Sequence, residues 1–323
     1  MNHDETADRS ATVRPSTSAW VRRFLDADAG ERIVRVEALH GGVTAEMRKL
    51  TVAARGGGAR ELVLRSYVDP FFVDRAEEAL DREAGALAVL AGATDVAAPG
   101  LIAADPTAAH CEYPSLLMTH LPGRALLGDE GLGERVRLLA RQLAAIHAVC
   151  PDEQPPKYEA LTTADTVVVP EGADSTAWAA AIDLIREPTP PYEGRFLHRD
   201  FHLGNVLFDT PPTRITGVVD WAGASWGPTD LDVAHSCTNL ALLHGPEWGQ
   251  RFADAYEEAG GVLARDAGER LYWRVRDALA FSEEVQVVAR PWREAGRTEL
   301  TTGVVEGRLD AYVTGLMSSA SSI

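Results

Sequence analysis

The chain has 323 residues, of which 46% are hydrophobic and 24% charged, and it carries a formal net charge of −17. That length supports one large domain or two lobes with a core each, and the balance of apolar to charged residues excludes a disordered or fibrous chain. The excess of acid excludes tight sequence-independent binding to nucleic acid, which Lys and Arg drive by releasing counterions, and it suits either a cationic partner or plain solubility.

Residues 1–15 are polar and charged, without apolar periodicity and without the apolar core of a signal peptide, so a disordered tail is expected there. No later run approaches the roughly 18 uninterrupted apolar residues of a membrane helix. Cys111, Cys150 and Cys237 are widely spaced and odd in number. A soluble, reduced, cytoplasmic protein is expected, with neither membrane nor nucleic acid as partner.

Residues 32–39 and 47–54 read as strands joined by His40-Gly41-Gly42-Val43-Thr44. The glycines would let backbone N–H groups approach phosphates and Thr44 could add a hydroxyl; an ordinary hairpin turn is the alternative. Gly56-Gly57-Gly58 marks the next turn, and residues 61–67 read as a third strand with Leu62 and Leu64 on one face and Arg65 closing the apolar run. A helix over 74–91 places Leu80, Ala84, Leu87 and Leu90 on one face, with Glu83 beside it. Strands over 101–104 and 115–120 bring the small sheet to about five.

After Leu121-Pro122-Gly123 the character changes to helices. Val136, Leu139, Leu143 and Ile146 predict a helix over 133–149, and His147 next to that stripe reads as a packed, hydrogen-bonded residue. Pro-rich loops then flank a helix over 175–186. Strands over 196–197, 206–208 and 215–219 are expected to form a hairpin-like platform under one loop. Further helices are predicted over 233–243, 248–259, 271–289 and 301–316.

The loop on that platform runs His198-Arg199-Asp200-Phe201-His202-Leu203-Gly204-Asn205, and Asp220 ends the strand after it. Asp200, Asn205 and Asp220 offer Mg²⁺ an amide oxygen and a carboxylate, with a second carboxylate left to act as base. Two other readings compete. The three could be hydrogen-bonded turn residues, or His198, Asp200 and His202 could hold a transition metal, against which the scattered cysteines and lack of a second His cluster weigh.

His198-Arg199-Asp200 followed by Asn205 and Asp220 resembles the catalytic loop and metal-binding Asp of protein kinases. Trp221-Ala222 replaces Phe-Gly after Asp220, and His202 with Gly204 is similar instead to the aminoglycoside phosphotransferase and choline-kinase-like family. The resemblance implies an α+β, bilobal protein-kinase-like fold: after the tail at 1–15, an N-lobe over 16–121 with a small antiparallel sheet, and a mainly helical C-lobe over 122–323 carrying the catalytic loop and acceptor site. ATP would lie between lobes with its phosphates under Gly41, Gly42 and Thr44; GTP stays open as donor. Leu62-Val63-Leu64-Arg65 resembles the kinase strand Val-Ala-Ile-Lys, with the planar fork of Arg65 replacing a point charge at the phosphates and Glu83 as its partner. The Thr119 carbonyl and Leu121 N–H would hold the adenine edge, with Met118 against the ring.

In the same reading Asn205 and Asp220 hold Mg²⁺, Asp200 orients and deprotonates the acceptor hydroxyl, and His198 supports the site. In the segment Trp221 to Ala234, Asp232 matches the family's structural carboxylate, with Asp230 in a competing register. No long activation segment intervenes, which disfavours a protein substrate and gives Arg199 a packing or ion-pair role. The expected activity is transfer of the γ-phosphoryl group of ATP to a hydroxyl of a cationic small molecule of the aminoglycoside antibiotic type, hence antibiotic resistance. A macrolide, or a metabolite such as choline, homoserine or a sugar, is the alternative acceptor, and a nucleotide-binding regulatory pseudokinase is the alternative of another class.

Overall fold

The computed structural model describes residues 12–39, 44–283 and 285–320. The chain divides into two compact units, one of residues 1–92 with 98–122 and one of 93–97 with 123–323. In the first, helix α1 (Pro15–Arg22) precedes strands β1 (Arg32–Leu39), β2 (Glu46–Ala53) and β3 (Ala59–Ser66). The short helix α2 (Pro70–Val73), helix α3 (Ala76–Leu90) and strands β4 (Leu101–Asp105) and β5 (Ser115–Thr119) complete it. The sheet is antiparallel throughout, in the order β1-β2-β3-β5-β4.

Central β3 is buried on both faces. Leu62 and Leu64 point one way and join Leu50, Val52 and Leu117 in a core closed by Trp20 and Val21 of α1. Each such buried apolar side chain contributes about 1.5–3 kcal/mol. The opposite face carries Arg65, which the period-2 alternation of the strand turns away from that core. Helix α1 was not expected, because eight residues hold too few turns for apolar periodicity to emerge.

The second unit contains helices α4 (Leu132–His147) and α5 (Ser175–Arg186), then strands β6 (Arg195–Leu197), β7 (Val206–Phe208) and β8 (Ile215–Val218). A 3₁₀ turn (Trp221–Gly223) leads to β9 (Ser225–Gly227) and helices α6 (Thr229–His244), α7 (Pro246–Glu258), α8 (Ala267–Ala280), α9 (Val285–Glu294) and α10 (Thr302–Ala320). Helix α6 is the axis of this unit: every residue from Asp230 to Leu243 is buried, and α7, α8 and α10 pack around it. A helix enclosed on all sides needs no polar stripe, which leaves room for buried polar residues that do chemistry. Among the described residues no helix is long and apolar enough to cross a membrane.

Two expectations are corrected. The three strands around the loop do not form one platform: β7 pairs with β8 as a hairpin, whereas β6 pairs with β9. A Cβ at Gly194 would lie 2.0 Å from the indole Nε1 of Trp226, so the bare glycine before β6 is what admits β9. The single helix expected over 271–289 is broken between Ala280 and Val285. Phe281 and Ser282 donate backbone N–H groups to carbonyls three residues back, and the Ser282 hydroxyl donates to the Leu279 carbonyl at 2.7 Å, so the Ala278 and Leu279 carbonyls of the last turn are satisfied.

Candidate active site

The loop between β6 and β7 is anchored by one buried carboxylate. Asp232, in the first turn of α6, accepts the backbone N–H of His198 at 2.7 Å and that of Arg199 at 2.8 Å. Its position also suits the positive end of the helix dipole. His147 of α4 lies 3.2 Å away through Nε2, and its Nδ1 meets the Tyr256 hydroxyl of α7 at 2.6 Å. Burial works to raise the Asp232 pKa, but the His147 hydrogen bond and neighbouring positive charge prevail and hold it below the ordinary value. Two N–H groups held on one carboxylate support the left-handed backbone of Arg199, at φ 70°.

His198 joins this loop to the one carrying Asp220. Its Nδ1 accepts the Asp200 N–H at 3.2 Å, so Nε2 carries the ring hydrogen and donates to the Val219 carbonyl at 3.1 Å. The ring is fully enclosed, 4.4 Å from the Trp221 ring, and burial pushes its pKa down against the nearby carboxylates. With both nitrogens committed, His198 is unsuited to ligate a metal, which removes the transition-metal reading of His198, Asp200 and His202.

Asp200 keeps 44% of its side chain accessible while three residues hold it. Asn205 Nδ2 donates to Oδ2 at 2.8 Å and to the Asp200 carbonyl at 2.9 Å. His235 Nε2 from α6 meets Oδ1 at 3.1 Å, and His202 Nε2 meets the same oxygen at 3.3 Å. His202 Nδ1 accepts the Gly204 N–H at 3.0 Å, which places its hydrogen on Nε2, facing Asp200. Enclosure by protein opposes the charge on Asp200, yet His202 and His235 outweigh it and keep the carboxyl well below the usual range.

Asp220 follows β8, with left-handed backbone at φ 67°. The Val219 N–H donates to the Asn205 carbonyl at 2.9 Å, bringing the backbones beside the two expected magnesium ligands together. Because the Asn205 amide nitrogen is spent on Asp200, the group turns its oxygen elsewhere. An amide oxygen and a carboxylate are hard donors of the kind Mg²⁺ takes.

In the first unit, Arg65 Nη1 meets Glu83 Oε2 at 2.6 Å, with 4% and 1% of the two side chains exposed. Met118 on β5 is buried opposite Val63 of β3. Thr119 donates its N–H to the Gly100 carbonyl at 2.9 Å and accepts the Gly100 N–H on Oγ1 at 2.8 Å. Leu121 and Thr44 are half-buried. Gly41 and Gly42 lie outside the described residues. At Gly123, where the second unit resumes, φ is 111° and a Cβ would lie 2.2 Å from Thr216 Oγ1 and 2.7 Å from the Phe208 carbonyl, so only glycine fits.

Asp230 accepts the Ala264 N–H at 3.0 Å and stands apart from the loop that Asp232 holds. His235 escaped the sequence reading, as did Asp277 of α8, whose Oδ1 lies 3.1 Å from His235 Nδ1. Each stands among other polar residues of its helix, and no spacing rule links residues on two different helices.

Solved structures share this fold. A candidate aminoglycoside phosphotransferase from Ralstonia eutropha JMP134 superposes with a TM-score of 0.64 at 19% identity, over 95% of this chain and 98% of that one. A thermostable mutant of the aminoglycoside phosphotransferase APH(4)-Ia, in ternary complex with ADP and hygromycin B, gives 0.57 at 18% identity, over 91% and 97%. The macrolide 2′-phosphotransferase MphH from Brachybacterium faecium gives 0.54 at 19% identity, over 86% and 95%. Among curated protein sequences none matches the chain. The model of the phosphotransferase enzyme family matches residues 35–272, the greater part of the sequence, and the chain therefore belongs to that family, within the protein-kinase-like superfamily.

Proposed function

We propose that the protein transfers the γ-phosphoryl group of ATP to a hydroxyl of an aminoglycoside-type antibiotic, with antibiotic resistance in the cytoplasm as its role. Family membership makes it a phosphotransferase acting on hydroxyl groups. The observation that carries the reading is Asp200: an accessible carboxylate held by Asn205, His202 and His235 on a loop that Asp232 anchors. A carboxylate kept so far from protonation serves first to orient the acceptor hydroxyl on the line of attack, and takes its proton as the new O–P bond forms. That suits a loose transition state, in which little proton abstraction is needed early.

Asn205 and Asp220 would hold Mg²⁺, which when bound would neutralise charge on the donor's phosphates. Arg65, braced by Glu83, would draw on the same phosphates, with Gly41, Gly42 and Thr44 covering them. Thr119 and Leu121 would take the adenine edge through backbone groups, and Met118 its face. His198 and Asp232 would keep Asp200 and Asp220 in register. ATP as donor is supported by related structures in complex with ADP and AMP-PNP.

For the acceptor, the net charge of −17 favours a polycation, and hygromycin B is bound in a related structure. A macrolide is the second reading. Leu161, Val168 and Val169 are exposed on one loop, whose Val168 N–H donates to Ser282 beside Phe281, and the Phe281 ring lies 5.4 Å from His235. Such apolar surface suits a large neutral acceptor. Incubating the protein with Mg·ATP or Mg·GTP and separate aminoglycoside, macrolide and metabolite panels, read by mass spectrometry, tests this. Phosphate confined to neutral acceptors would overturn the cationic-substrate reading and leave the phosphotransferase intact.

A further inference from the structure

Beyond the loop, helices α6 and α8 deliver a polar chain that ends on the proposed base. On α6, His235 is buried, and its two ring nitrogens each face a carboxylate: Nε2 lies 3.1 Å from Asp200 Oδ1 and Nδ1 lies 3.1 Å from Asp277 Oδ1 on α8. Asp277 is itself held from behind, its Oδ2 accepting the Thr238 hydroxyl at 2.7 Å. Thr238 stands one helical turn below His235 on α6, so both contacts to Asp277 come from one face of one helix. The Phe281 and His202 rings, 5.4 Å and 6.2 Å away, complete the surroundings.

We infer that His235 is a positioning residue for phosphoryl transfer, fixing the carboxylate of Asp200 while Asp277 and Thr238 fix His235 in turn. The inference rests on Asp200 being the group that orients the acceptor. An Asp carboxyl rotates freely about χ2 when only water touches it, and with 44% of its side chain accessible Asp200 would sample many orientations. Asn205 takes Oδ2 and His235 takes Oδ1, so the two oxygens are pinned from opposite sides and the carboxylate plane is set. His235 is better fitted to this than His202, which sits on the same loop as Asp200 and moves with it. His235 instead refers the carboxylate to the enclosed helix α6 and, through the buried Asp277, to α8.

The ring's protonation follows from the same geometry. A neutral imidazole has one N–H, whereas His235 faces an acceptor-only carboxylate with each nitrogen. Both must carry hydrogen. Burial alone would lower its pKa, but Asp277 and the hydrogen bonds to Asp200 and Asp277 raise it to about 10. The ring is thus a fixed double donor at neutral pH.

The test combines NMR, which needs no acceptor, with kinetics. In uniformly folded protein carrying ¹⁵N-labelled histidine, His235 is expected to show two exchange-protected ring N–H protons at pH 7. The Nε2–H resonance should move in Asp200→Asn and the Nδ1–H resonance in Asp277→Asn. A single ring N–H, or resonances indifferent to both substitutions, would overturn the inference. With Mg·ATP and hygromycin B, or water as acceptor where hygromycin is untouched, His235→Gln should lower kcat by roughly tenfold to hundredfold, the scale of one charge-assisted hydrogen bond, and leave KM for ATP within about twofold. Thr238→Val, which touches neither Asp200 nor its loop, should lower kcat by a smaller factor in the same direction. In an Asp200→Asn background His235→Gln should add nothing, because it acts through the group already removed. Wild-type kcat in His235→Gln, with Asp200→Asn inactive, defeats the inference alone; wild-type kcat in Asp200→Asn defeats the assignment of Asp200 itself.

Discussion

Replacing Asp232 by Asn changes one atom's hydrogen-bonding character at the point where the loop carrying Asp200 is anchored. Asp232 is fully enclosed and accepts the His198 and Arg199 N–H groups at 2.7 Å and 2.8 Å, with His147 Nε2 at 3.2 Å. In Asp232→Asn the amide nitrogen must face one of these donors. One buried donor is then left unsatisfied, at about 1–3 kcal/mol, and each remaining bond loses its charge assistance, about 1 kcal/mol apiece. The sum is about 4 kcal/mol, a large share of the roughly 5–15 kcal/mol that holds a domain together. For a unit of roughly two hundred residues that is a fall in Tm of about 8–16 °C. Acid should narrow the gap. Since the folded pKa of Asp232 is lowered, its contribution is complete above the ordinary carboxylate range and is lost as pH falls through the folded value, whereas the Asn variant has no such term. Calorimetric scans of both proteins from neutral pH into acid measure this. A Tm within 2 °C of wild type at neutral pH, or a gap constant into strong acid, would refute the anchoring argument.

Asp200→Asn is expected to retain fold and nucleotide binding while turnover drops by about 10²–10⁴, the span for removing a general base; undiminished turnover in single-turnover assays would take Asp200 out of the mechanism. Asp220→Ala should abolish the metal dependence of nucleotide binding, read by titration calorimetry with and without Mg²⁺. Arg65→Ala should weaken ATP binding more than Glu83→Ala does, whereas Glu83→Ala should cost about 3–5 kcal/mol of stability by removing a carboxylate paired with a buried guanidinium; urea denaturation and ATP titration separate the two effects. His244 is buried beside Asp129, and burial, against the Asp129 hydrogen bond, lowers its pKa to about 4. Between about pH 6.5 and 4 the unfolded chain therefore binds the extra proton, and stability should decline by on the order of 3 kcal/mol as pH falls through that window. In His244→Gln the decline should be flatter over the same range, and parallel curves for the two proteins would exclude His244 as its source.

Most of the elements are legible from local pattern. Residues 32–39 and 175–186 form the strand and helix expected there, and the β7–β8 hairpin follows from two short apolar runs on either side of Pro211-Pro212. Asp200, Asn205 and Asp220 stand out as candidates because their chemistry falls in one contiguous stretch, and Arg65 with Glu83 because they resemble the strand and helix pair of kinases, a contact the fold makes at 2.6 Å. Where local signals stopped, so did the reading. Three-residue β9 carries no periodicity, and its pairing with β6 depends on an indole fitting against Gly194. The end of α8 depends on one serine hydroxyl reaching a carbonyl. The His235 to Asp277 contact spans 42 positions and two helices, and inside a fully buried helix a histidine has no face to advertise. Sequence alone singles out the groups proposed for phosphoryl transfer, because their types and spacing are local. Tertiary packing decided what holds them in place, because His235 reaches Asp200, and His147 reaches Asp232, from helices that only the folded core brings to the loop.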